Sequence, residues 1–164
     1  WQTKKWPIAS FVQLVERFAA SDPKRKVVFL GSEADRSELE NILSPEQQRR
    51  FVNLACETDL RDLAAVIATL DVIVSNDSIP IHFASAAQVP NVAIFGPTVP
   101  EMGFGPIAAD SLVAQKLLDC RPCSAHGATR CPLRHHACMR DLSVDVVLGL
   151  VEQALNSRRK RAAR

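Results

Sequence analysis

Asn76-Asp77-Ser78-Ile79-Pro80 sets a carboxylate, a hydroxyl and a helix-starting proline directly after the apolar run Val72-Ile73-Val74, and His82 follows one turn later. Proline suits the first position of a helix, where the opening backbone N–H groups have no partner inside the helix. Those donors, together with the helix dipole, favour a phosphate or diphosphate. Ser78 adds a hydroxyl, and Lys4 or Lys5 in the opening stretch supplies countercharge. Asp77 fits an anion less simply. It acts either as a plain N-cap, worth about 1 kcal/mol, or as a ligand contact facing a sugar hydroxyl, and the sequence leaves both open. His82 lies four residues beyond Ser78 and so on nearly the same helix face. It either satisfies a buried backbone group or stands just behind the ligand contacts, with no role as a base.

A second concentration of reactive groups is Cys120, Cys123, Cys131 and Cys138, spaced C-x2-C-x7-C-x6-C and interleaved with His126, His135 and His136. Four soft ligands in so short a stretch, the first pair at knuckle spacing, suit a tetrahedral structural zinc. Reduced thiols without metal, or a disulfide formed only on oxidation, are the competing readings. Cys56 stands alone after an apolar run and reads as a core thiol.

These groups need elements to position them. Ile8 to Ala20 carries Phe11, Leu14, Val15 and Phe18 at helical spacing, with Pro7 near its start. Lys26 to Leu30 reads as a strand ending at Gly31, and Ser32 to Leu43 as a polar helix that stops before Pro45. Phe51 to Ala55 is a strand, Asp59 can cap a helix over Leu60 to Leu70, and Val72 to Val74 is the next strand. Pro80 to Ala87 is a short helix, and Val92 to Phe95 and Leu112 to Ala114 are strands. Apolar strands alternating with helices imply an α/β fold whose parallel sheet is covered on both faces. In such sheets ligands bind beyond the carboxyl ends of the strands, where Gly31 to Asp35, Asn76 to Ser78 and Gly96-Pro97-Thr98 gather. The chain opens on a loop and helix, where a doubly wound half would first carry a strand.

At 164 residues the chain is one domain in length, enough for a single sizeable core. Residues 1–157 are expected to form that domain, with a cysteine-rich loop at 120–138 and a basic tail at 158–164. Hydrophobic residues at 47% and charged residues at 23% describe a soluble globular chain. No segment approaches the roughly 18 continuous apolar residues of a membrane span, and the first residues show no signal-peptide pattern, so a cytoplasmic location is expected. Without Arg158, Arg159, Lys160, Arg161 and Arg164 the formal charge of +2 turns acidic, so the body carries no nucleic-acid signature. The tail itself is either disordered and solvated or a weak electrostatic contact with an anionic membrane.

In their order along the chain, TKKWP (Thr3 to Pro7), VVFLGSEAD (Val27 to Asp35), TDLRDLAAVIATLDVIVSNDS (Thr58 to Ser78), HFASAAQVPNVAIFGPT (His82 to Thr98) and CRPC (Cys120 to Cys123) resemble the C-terminal half of glycosyltransferase family 9. Its members are the ADP-heptose:lipopolysaccharide heptosyltransferases. The resemblance implies the C-terminal donor domain of a GT-B glycosyltransferase, a Rossmann-like parallel sheet flanked by helices and here lacking its first strand. It implies an ADP-sugar donor, a lipopolysaccharide core acceptor held by a missing N-terminal domain, and no cofactor for the chemistry.

By the same resemblance Lys4, beside Thr3, meets the donor diphosphate, Asp35 contacts the ribose where the family usually has glutamate, and Thr58 lines the adenine. Asp77 and Ser78 match the pair beside the diphosphate and sugar, so Lys4, Asp77 and Ser78 are the catalytic candidates. His82 matches a helix histidine, and Gly96, Pro97 and Thr98 a loop beside the site. Ile79 stands where the family usually has glycine, which would narrow the pocket or force another backbone path. The expected function is transfer of heptose from ADP-heptose, with the isolated chain binding nucleotide without turnover. The alternative is a non-enzymatic nucleotide-binding or scaffolding module. A dinucleotide-binding dehydrogenase is excluded, because no G-x-G-x-x-G follows any strand.

Overall fold

The computed structural model describes residues 1–163. The amphipathic run at the start forms α1 (Ile8–Ala20), burying Val12, Leu14 and Ala19. The chain then runs through β1 (Val28–Phe29), α2 (Glu33–Ile42), α3 (Pro45–Arg50) and β2 (Val52–Asn53). It continues through α4 (Leu60–Thr69), β3 (Ile73–Asn76), α5 (Ile79–Ala86), β4 (Asn91–Phe95) and β5 (Leu112–Gln115), and ends with α6 (Ala137–Arg140) and α7 (Val144–Ala162).

Local chemistry explains most boundaries. Ser32 and Asp35 close a reciprocal capping box at the start of α2, and Ser44 and Gln47 close another on α3. Asp59 accepts from the backbone of Arg61 and Asp62 and so starts α4 as its sequence predicts. Three helices went beyond that reading. Helix α3 is a single capped excursion between α2 and β2, α6 is one turn, and α7 hides its apolar periodicity behind three valines and Gly149 in its first two turns.

Every strand pair is parallel. The sheet, however, is in two pieces: β1 pairs with β2, and β4 lies between β3 and β5. The registers are Val28 on Val52 in the first piece, with Val74 on Val92 and Ile94 on Ala114 in the second. Side chains of β4 alternate between two helical layers. Val92 and Ile94 join the core beneath α7, with Val147 and Val151, while Ala93 and Phe95 pack with Ile81 of α5. Helix α1 lies against α7 and α2, and α4 against α5. A separate core of Val12, Phe29, Leu39 and Phe51 holds β1, α1 and α2 together.

The basic end differs from the expected disordered tail. Residues 158–162 continue α7 without a break. Arg158 donates to the carbonyls of Leu70 and Asp71, and Arg161 pairs with Asp110 at 3.1 Å, so the last turns are fastened to the body. Arg164 lies outside the described residues. Among the described residues no helix is long and apolar enough to cross a membrane.

Candidate functional site

Strand β3 ends at Asn76, and the next residue, Asp77, turns under the sheet instead of capping α5. Its backbone N–H donates to the Ile94 carbonyl, and its nearly buried carboxylate lies 2.6 Å from Lys4 Nζ and accepts from Thr98 Oγ1 at 2.7 Å. The plain N-cap reading of Asp77 is therefore wrong. Ser78 occupies the cap position, and its side chain makes no capping bond to α5. Its hydroxyl donates instead to the Asn76 carbonyl at 3.1 Å. At the start of α5 Pro80 has no N–H and the Ile81 N–H donates to the Ser78 carbonyl, which leaves the Ile79 N–H without a side-chain cap at the sheet's carboxyl edge.

Lys4 is brought there by the opening stretch, which is pinned across the top of the fold. Thr3 is buried, exchanging hydrogen bonds with both backbone groups of Ala128, and its carbonyl lies 2.8 Å from His136 Nε2. Trp6 donates its backbone N–H to Asn76 Oδ1 and its indole N–H to the Leu142 carbonyl. Lys4 also stands 5.9 Å from the centre of the Phe104 ring, a cation–π distance. Of its three ammonium donors one goes to Asp77, leaving two for an anion.

Lys5 reaches the other side of the mouth and holds Asp35 Oδ1 at 2.8 Å. Asp35 Oδ2 accepts from the Ser32 backbone and hydroxyl. Burial opposes the charge on Asp35, but the bonds from Lys5 and Ser32 outweigh it and hold the carboxyl below the usual carboxylate range. With roughly four acceptor positions on a carboxylate, Asp35 keeps one free on Oδ1. Gly31 permits this arrangement: a Cβ there would lie 2.9 Å from Asp35 Cβ.

Lys4, Asp35, Thr58, Asp77, Ser78 and Ile79 all line one cavity. Ile79 is largely exposed, begins α5 and has no left-handed backbone, so glycine's conformational freedom is not required at this position. The remaining site candidates are not in that lining. His82 is exposed on the helix. Gly96 is packed beneath Met139, whose Sδ a Cβ added there would strike. Pro97 is buried, with its carbonyl accepting from the Cys123 N–H, and Thr98 is fully buried behind Asp77.

Arg121 was not singled out in the sequence. Its guanidinium donates to the carbonyls of Phe95, Gly96 and Thr98 and to that of Lys116, clamping the Gly96-Pro97-Thr98 loop under Asp77. Burial lowers its pKa from the ordinary value. Its place between Cys120 and Cys123 drew attention to the thiols and away from the guanidinium.

The cysteines are free. Cys120 Sγ lies 3.9 Å from His135 Nε2, Cys123 Sγ is 3.8 Å from the Pro97 carbonyl, and Cys138 is buried, which pushes its thiol pKa up. At Cys131 burial is outweighed by the backbone N–H groups of residues 133 to 136, and its thiol is lowered. Among the described residues no three His, Cys, Asp or Glu side chains are gathered to hold a metal ion. Cys56 is exposed at positive φ in the turn after β2, a correction to its reading as a core thiol.

At the carboxyl edge of a parallel α/β sheet, a lysine held by a buried carboxylate thus lines one cavity with the start of α5. The chain belongs to glycosyltransferase family 9 (heptosyltransferase), whose sequence model matches residues 1–132. It is 32% identical over 156 residues to lipooligosaccharide heptosyltransferase 2 of Campylobacter jejuni, covering 93% of this chain and 46% of that protein. It is 37% identical over 101 residues to lipopolysaccharide heptosyltransferase 2 of Escherichia coli, covering 60% of this chain and 28% of that protein. The solved E. coli ADP-heptose lps heptosyltransferase II superposes with a TM-score of 0.77 at 27% identity, over 96% of this chain and 44% of that one. A family 9 glycosyl transferase from Veillonella parvula shares the fold, with a TM-score of 0.74 at 22% identity, over 94% of this chain and 43% of that one. The chain thus spans less than half the length of these relatives.

Proposed function

We propose that this chain is the donor-binding half of a GT-B enzyme that transfers heptose from ADP-heptose to the inner core of lipopolysaccharide. The observation that carries the reading is Lys4, fixed by Asp77 with two ammonium donors spare, in one cavity with the start of α5. In the reaction the bond between the sugar carbon and the diphosphate oxygen breaks, and its electron pair leaves with ADP. Lys4 and the Ile79 N–H at the start of α5 stabilise that developing charge. The acceptor hydroxyl forms the new glycosidic bond and gives its proton to a base on the acceptor half.

Asp77 works through Lys4, and Thr98 and Arg121 work through Asp77. Asp35 has one acceptor position for a ribose hydroxyl, and Thr58 lies on the same wall for the adenine. The basic end of α7 is proposed as a peripheral contact with the anionic inner face of the inner membrane. Arg158 and Arg161 are engaged in the fold, so Arg159 and Lys160 carry it, at about 1 kcal/mol each. Zinc binding by Cys120, Cys123, Cys131 and Cys138 is a separate proposal resting on their spacing alone, and metal analysis of the purified chain tests it.

The deciding experiment is calorimetric titration of the folded chain with ADP and with UDP. Selective ADP binding, weakened about tenfold or more by Lys4→Ala (roughly 1.4 kcal/mol), supports the donor reading. A folded chain that binds neither nucleotide overturns it in favour of a scaffolding module.

A further inference from the structure

A second, smaller cavity has Gln2 and Thr3 in its wall but not Lys4, and it shares no lining residue with the cavity at Asp77. Its volume is about 260 Å³, below the ~300–1,000 Å³ of a whole-ligand site, so it suits one chemical group of a larger molecule. The lining holds three guanidiniums, those of Arg130, Arg134 and Arg140, and no Asp or Glu. Among the described residues none of the three is paired with a carboxylate. Arginine cannot shed its charge, so the mutual repulsion of three such groups is relieved only by an anion or by salt.

The backbone adds to the same polarity. Arg134 and His136 are left-handed, at φ 60° and 50°, and the Arg134 N–H closes a turn onto the Cys131 carbonyl at 3.0 Å. Such reversals gather successive N–H groups into a concavity that favours anions, and those of residues 133 to 136 turn toward Cys131 in the cavity wall. The loop is also held in place. His136 Nε2 lies 2.8 Å from the Thr3 carbonyl, and Thr3 exchanges hydrogen bonds with Ala128. The arginines therefore project from a scaffold tied down at both ends of the loop.

We propose that this cavity is a binding site for a phosphate monoester, held by Arg130, Arg134 and Arg140 and carried either by a lipid headgroup or by a soluble ester. A monoester near neutral pH is close to a dianion with three acceptor oxygens, so each guanidinium fork has an oxygen to meet. A carboxylate or a phosphodiester offers only two. The two sources differ at the rim. Leu133 stands between Arg130 and Arg134 in the chain and is exposed, and a lipid-borne phosphate would bring it against the membrane surface where a free one would not. The site is separate from the mouth at Lys4 and Asp77, so it uses no part of the donor reading.

Titration of the chain with inorganic phosphate at fixed ionic strength, followed by amide NMR shifts, tests the proposal. Saturable shifts should appear at the amides of Arg130, Cys131 and Arg134. Arg130→Gln with Arg134→Gln should weaken them about tenfold or more, while Arg49→Gln with Arg61→Gln, on α3 and α4, should leave them unchanged. Sedimentation with phosphatidylcholine vesicles carrying either phosphatidic acid, a monoester, or phosphatidylglycerol, a diester, separates the sources. Preference for phosphatidic acid that falls with Leu133→Ser assigns the lipid headgroup; phosphate binding without that preference assigns a soluble ester. No saturable response to phosphate together with equal capture by both vesicles overturns the proposal. So do shifts that centre on Ile79, that survive the Arg130 and Arg134 substitutions, or that chloride reproduces. The readout uses no nucleotide, so its failure and a failure of the donor reading are distinguishable.

Discussion

Lys4 and Asp77 are coupled groups at low exposure, and the consequences of breaking them are asymmetric. Lys4→Ala leaves a nearly buried carboxylate unpaired and should cost about 3–5 kcal/mol in chemical denaturation. Lys4→Ala with Asp77→Asn removes both charges and should recover much of that stability while nucleotide binding stays weak; equal losses of stability in single and double variants would show that the pair is not coupled. Asp35 gives a pH signature. Its folded pKa is depressed, so its contribution is fully present above the unfolded value near about 3.9 and disappears as pH falls through the lower folded value. Lys5→Met should therefore lower the urea midpoint near neutrality, with the gap to the parent chain closing as the pH drops below the carboxylate range. A gap that stays constant with pH would remove the Lys5 bond as the cause.

At the scale of elements, the Gly96-Pro97-Thr98 loop acts from behind the site. Gly96→Ala drives a Cβ into buried Met139 and should destabilise by about 1–3 kcal/mol, with partial recovery when Met139→Ala opens the space; unchanged thermal unfolding in Gly96→Ala would contradict this packing. Arg158→Ala removes two bonds to the carbonyls that follow α4. It should lower the melting temperature by several degrees, at about 2–4 °C per kcal/mol for a domain of this size, which calorimetry would show. Apart from α3, the strand and helix order from Ile8 to Phe95 was legible because caps and periodicity agree locally, as at Asp59. Helix α7 was not, since its stability comes from packing on β4 and β5 and its sequence opens with residues of strand character. At the site, the sequence identified Lys4, Asp77 and Ser78 together. It could not say that Asp77 faces Lys4 and not the helix, because that depends on Thr98 and Arg121 arriving from distant loops.

On the scale of the whole molecule, the two pieces of sheet carry separate cores, bridged chiefly by α1. The β1–β2 piece, with two short strands and largely exposed α2 and α3, should exchange its amides and unfold before the β3–β4–β5 piece. Proteolysis under native conditions should accordingly cut within residues 33–58 first; first cuts in α7 would reverse this order. The polar mouth sits where the two pieces meet, so nucleotide bound to Lys4 and Asp35 together should slow the early opening.

The bonds that pin the opening stretch also give the site a history. Thr3 is fastened to a residue 125 positions further along, and the Trp6 indole to one 136 positions further. Lys4 is synthesised long before the groups that hold its neighbours in place exist. At about 5–20 residues per second, it waits roughly 7–28 s for Leu142. The site's lysine is thus placed only by residues made more than a hundred positions later, and a nascent chain halted before them would carry the lysine without the means to aim it.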